Sequence, residues 1–70
     1  MMPLTMAPAG VANKIIKVGG KEEVKRHLEN LGFVVGSNVK VINMLAGNVI
    51  VVVKEARIAI SNEMAQKIMV

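Results

Sequence analysis

Groups able to do chemistry are few in this chain, and they are scattered. There is one histidine, His27, no cysteine and no aspartate, and every acid is a glutamate. The hydroxyl residues are Thr5, Ser37 and Ser61. None of them has a sequence context in which a neighbouring base would activate it as a nucleophile. Glu23 and His27 stand at i, i+4, a spacing that allows a weak surface contact with a cation. A transition-metal site, however, wants a cluster of Cys, His or carboxylate ligands. The ordinary role for Glu22, Glu23 and Glu29 is solvation of a helix. Gly19-Gly20-Lys21 ahead of a helix has neither the length of a phosphate-binding loop nor a Ser or Thr after its lysine, and reads as a turn. The residues therefore lead to an expectation of no catalytic residue, no metal ligand set and no cofactor.

Aromatic content narrows the binding classes. Phe33 is the only aromatic residue. Single-stranded nucleic acid is usually held by stacking on aromatic side chains, and proline-rich peptides by aromatic-lined grooves. The net charge of +4 suits an acidic partner, but the basic residues, from Lys14 to Lys67, form no block. Phe33 follows directly on a helix end and reads as a core plug.

The elements that must position these residues are short. Seventy residues make one domain, residues 1–70, and a domain of this size buries only about 60% of its unfolded surface. With 53% apolar residues and a mean hydropathy of +0.49, some of the apolar side chains must stay outside, where a contiguous patch marks an interaction site. The longest run of bulky aliphatics, Val49 to Val53, is far short of the about 20 residues a membrane helix needs. No basic segment precedes an apolar stretch as in a signal peptide. The expected location is cytoplasmic.

Met1 to Gly10, with Pro3 and Pro8, reads as an extended lead-in tied down by Leu4 and Met6. Residues 12–18 alternate as a first strand, with Ile16 and Val18 on one face. Val24, Leu28 and Leu31 form one apolar stripe, predicting a helix over 21–31, with Gly32 as its left-handed terminator and His27 half covered beside the stripe. Residues 38–45 read as a strand carrying Val39, Val41 and Leu45 on one face. Ala46-Gly47-Asn48 is a hairpin turn. Residues 49–54 form a strand of β-branched side chains, and Lys54-Glu55 a tight turn without glycine. Arg57 to Ile60 alternate, with Ile58 and Ile60 inward. Ser61 is placed to cap a helical turn near 62–66, and Ile68 and Val70 close a last short strand. The expectation is a mainly β, partly open, five-stranded barrel with one helix.

The run Leu28-Glu29-Asn30-Leu31-Gly32-Phe33-Val34-Val35-Gly36, followed by Val39-Lys40-Val41, resembles the ferrous iron transport protein A (FeoA) family. So do the opening, Leu4 and Gly10 ahead of Ile15, and the ending, Arg57 to Ile60 with a helical turn and Ile68-Met69-Val70. The likeness covers nearly the whole chain. It implies an SH3-like barrel and a non-enzymatic accessory role in bacterial ferrous iron uptake. The implied partner is the cytoplasmic part of the G-protein-coupled ferrous iron permease, FeoB. Val35 stands where the family often has proline, and Met44 to Asn48 lack the proline-containing turn common there.

Met44, Leu45 and Ala46 are the first candidate contact patch, methionine being adaptable at recognition surfaces, and Val34 and Val35 are the second. High hydrophobicity also predicts weak homo-oligomers. Two other readings remain open. Gly36 to Ile42 with Gly47 loosely resembles the KOW motif of small RNA-binding barrels. Similar barrels also form the C-terminal domain of metal-dependent repressors.

Overall fold

The structure, a computed structural model, describes residues 1–70. Six strands fall into two antiparallel sheets that share one core. A 3-10 turn at Leu4–Met6 precedes β1 (Ala12–Lys14) and β2 (Lys17–Val18). Helix α1 (Glu22–Asn30) follows, then a meander of β3 (Asn38–Leu45), β4 (Asn48–Val53) and β5 (Ala56–Ser61). Helix α2 (Asn62–Ala65) and β6 (Ile68–Met69) end the chain. The larger sheet has the order β1-β3-β4-β5, and β2 pairs with β6. The result is a mainly β, SH3-like barrel with a helix between its second and third strands.

The sixth strand arises because residues 12–18 do not form one strand. Ile15 N–H donates to Ser37 O at 2.8 Å, while Ile16 N–H donates to Met69 O at 2.8 Å. Between these two residues the chain leaves the larger sheet and joins the smaller one. The alternation breaks there. Ile15 and Val18 point inward, and Ile16, expected inside, is 52% exposed.

Helix α1 buries Leu28, with Val24 and Leu31 packed against the core. Glu22 and Glu23 lie in its first turn, where carboxylates complement the helix dipole. At its end Gly32 N–H donates to Glu29 O and Phe33 N–H to Leu28 O, both at 3.0 Å. That pair of bonds is a Schellman motif, which needs a left-handed residue at Gly32; its φ is +109°. Phe33 then enters the core fully buried.

Fifteen residues are buried, all of them apolar, and no buried side-chain polar atom lacks a partner. The inner sheet face supplies Val39, Val41, Val49, Val51, Val53 and Ile60. Leu4 is fully buried, as expected of the lead-in, but Met6 is 71% exposed because the 3-10 turn rotates it outward. Reciprocal bonds between Met2 and Val70, at 2.9 and 2.8 Å, join the two ends of the chain.

Candidate functional site

The hairpin between β3 and β4 is built from a local conflict. Val41 pairs with Val51, yet Asn43 pairs with Ile50, so Ile42 is an extra residue on β3. Such a bulge shifts the alternation by one. Met44 then lies opposite inward-facing Val49, and Leu45 lies opposite Asn48. Leu45 therefore does not share a face with Val39 and Val41 as the alternation predicted, and it is 61% exposed. Met44 N–H is taken up by Asn43 Oδ1 at 2.8 Å. Met44 is itself 49% exposed, although Val49 opposite it is buried.

The turn has two central residues, Ala46 and Gly47, with φ of 50° and 82°. Positive φ at both is the hairpin geometry that suits the twist of the flanking strands. Asn62 N–H donates to Gly47 O at 2.9 Å, and Ser61 Oγ accepts from Met64 N–H at 3.1 Å. Helix α2, capped as the sequence predicts, thus holds the turn in place. Met44, Leu45 and Ala46 form an exposed, apolar tip whose backbone is already ordered. Ordering ahead of contact lowers the entropic cost of binding.

Val34 and Val35 are not part of this tip. They precede the first residue of β3, while Leu45 is its last. At about 3.3 Å per residue the two patches stand roughly 23 Å apart along the strand. Val34 is half-buried and Val35 is 65% exposed. Gly36 N–H donates to Ile15 O at 2.8 Å, which brings the Val35 loop beside exposed Ile16. Ile16 is the apolar residue that strand alternation misplaced. The Ile15-Ile16 doublet was its only signal, since consecutive strand residues cannot both point inward.

The groups with chemical potential stay apart. His27 lies exposed on α1 rather than half covered, as do Glu22, Glu23 and Glu29. No three His, Cys, Asp or Glu side chains come together in a way that could hold a metal ion. An open depression of about 500 Å³ beside the start of β3 is rimmed by Ser37, Asn38, Lys40, Lys54 and Glu55, with a single carboxylate and no imidazole. No helix is long and apolar enough to cross a membrane.

The same fold occurs in several solved structures. The chain superposes on an iron uptake regulatory protein, FeoA, with a TM-score of 0.87 at 24% identity, covering 97% of this chain and 90% of that one. The FeoA protein of Chlorobium tepidum gives 0.86 at 26% identity, with coverage of 97% and 67%. FeoA of Stenotrophomonas maltophilia, solved with zinc and described as a prokaryotic SH3 domain protein, gives 0.84 at 23% identity, with coverage of 99% and 88%. A manganese-dependent transcriptional repressor shares the fold over 38% of its length, with a TM-score of 0.84 at 19% identity. No curated protein matches the chain closely enough to count. The family model of the FeoA domain matches residues 2–70, and the chain belongs to that family.

Proposed function

We propose that this protein is a non-enzymatic, cytoplasmic accessory factor of bacterial ferrous iron uptake that docks on the cytoplasmic part of the ferrous iron permease, FeoB. The observation that carries the reading is the β3–β4 tip: Met44, Leu45 and Ala46 are presented to solvent on a turn clamped by α2. Membership of the FeoA family supports a role in ferrous iron transport, and the Stenotrophomonas maltophilia relative is put forward as a ferrous iron transport activating factor. The exposed apolar residues of the tip support a binding role. An RNA-binding role has less support, since the single aromatic side chain, Phe33, is buried and offers no stacking platform.

The test is co-purification of the tagged chain with the full permease in detergent. Retention should survive raised salt, because apolar contact is little screened. Release by moderate salt, or equal retention on membranes lacking the permease, contradicts the proposal.

A further inference from the structure

The larger sheet has an unusual charge distribution on the face turned away from the core. Its strands β1, β3, β4 and β5 contain no acidic residue, and their basic residues are Lys14, Lys40 and Arg57. The register runs Ala12↔Lys40, Lys40↔Val52 and Val52↔Arg57 across the four strands. Residues directly opposite share a face, so Lys40 and Arg57 flank Val52 on the outer side, and Lys14, two residues from Ala12, joins them. Val52 and Ile50 are half-buried there, and Ala59 is exposed.

Strand β5 ends this sheet, and its free edge can be phased. Asn62 N–H donates to Gly47 O just beyond the Ser61↔Asn48 pair. Hydrogen-bonded and non-bonded pairs alternate in an antiparallel ladder. Ala56, Ile58 and Ile60 therefore bond to β4, while the N–H and C=O groups of Arg57 and Ala59 point away from the sheet. No other hydrogen bond in the molecule takes them up. The six β4–β5 pairs run without a bulge, and β5 contains no proline. Neither a bulge nor a proline blunts this edge, and its one charged side chain is Arg57.

We propose that the edge of β5 accepts an extended segment of a partner protein as an added strand, and that this segment alternates acidic and apolar residues. Backbone bonds to Arg57 and Ala59 would supply the pairing. Side chains of the added strand on the outer face lie beside Arg57, with Lys40 two strand spacings, about 10 Å, farther in. Acidic residues fit there: the strands carry no carboxylate, and the nearest one in sequence is Glu55, in the turn before β5. Side chains on the other face lie beside Ile58, which is only half-buried and gains cover from an apolar neighbour. A second copy of this chain fits less well. Pairing β5 with itself about Ala59 sets Arg57 against Ser61, provides no acid and joins two chains of net charge +4. The inference does not depend on the hairpin tip.

The experiment is a titration of the nitrogen-15-labelled full chain with a short end-capped peptide alternating valine and glutamate. A peptide alternating valine and lysine is the control. Expected are shifts centred on Arg57 and Ala59 and slowing of exchange of these two amides by about tenfold or more at saturation, both weakening as salt is raised. Ala59→Pro removes an outward N–H without touching the β4 ladder and should abolish binding. Arg57→Glu should weaken the glutamate peptide and favour the lysine peptide, a gain that an unfolded variant cannot show. The proposal is overturned if neither peptide moves these amides or if both peptides bind alike. It is also overturned if an RNA oligonucleotide protects the same amides more strongly, or if sedimentation shows the free chain already dimerised through this edge in a way that Ala59→Pro removes.

Discussion

Asn62 N–H donates to Gly47 O at 2.9 Å, joining the first residue of α2 to the turn of the β3–β4 hairpin. The bond spans two strands of sequence and ties the exposed tip to the rigid part of the fold. Ser61, one residue earlier, caps α2 through Met64 N–H. A helix of four residues has little stability of its own, so the cap and the tip should rise or fall together.

Ser61→Ala should accordingly cost about 1 kcal/mol in chemical denaturation. Hydrogen exchange at Asn62 and Met64, whose amides bond to Gly47 O and Ser61 Oγ, should speed up more than exchange in the β4 core. Uniform acceleration across the molecule would mean that the cap supports the whole fold and not the tip in particular.

Gly32→Ala meets two obstacles at once. Its φ of +109° is poorly tolerated by other residues, and an added Cβ would come within 2.9 Å of Lys54 Cγ. Loss of roughly 1–3 kcal/mol is expected, visible as a lower midpoint in urea. Combining it with Lys54→Ala should recover the steric part only. Full recovery would show that the left-handed backbone costs nothing here.

The β4–β5 turn carries the opposite opportunity. Lys54 and Glu55 have φ of 51° and 64° without a glycine between them. Left-handed backbone costs a non-glycine residue about 1–2 kcal/mol, and Asn-Gly is the preferred pair for this turn. Glu55→Gly should therefore gain about 1 kcal/mol, roughly 4–8 °C in Tm for a domain of this size. A lower Tm would contradict the turn geometry.

The lead-in has a structural job. Leu4 is fully buried in the shared core. Leu4→Ala should cost about 2–5 kcal/mol, against a net stability of roughly 3–5 kcal/mol expected for a core this small. Circular dichroism should show a largely unfolded or barely folded chain at 37 °C. A native spectrum with an unchanged midpoint would show that the 3-10 turn is dispensable.

Much of this architecture can be read from local residue patterns. The limits of β3, the Ala46-Gly47 turn, the Val24–Leu28–Leu31 stripe, the Gly32 terminator and the Ser61 cap all follow from spacing or from a residue's conformational preference. What could not be read depends on partners distant in sequence. The break at Ile15-Ile16 exists because Ile15 bonds to Ser37, in the loop leading into β3, while Ile16 bonds to Met69 of β6. The bulge at Ile42 is a matter of the register of β3 against β4, and it turns Leu45 away from the face that strict alternation assigns it. The Val35 loop is joined to the Ile15-Ile16 segment through the Gly36–Ile15 bond. The candidate patches were legible as exposed apolar residues, but their separation along β3 was not. The permease as partner came from resemblance, and no residue spacing specifies it.

The central claim, that the β3–β4 tip is the working surface, is tested most directly by measuring binding to the purified permease with Leu45→Glu and Val35→Glu side by side, each checked for an unchanged Tm. Both positions are exposed, so neither change should unfold the protein. The account predicts that Leu45→Glu weakens binding at least about tenfold, which corresponds to about 1.4 kcal/mol, while Val35→Glu has little effect. Wild-type affinity for Leu45→Glu, with or without loss at Val35, would contradict it.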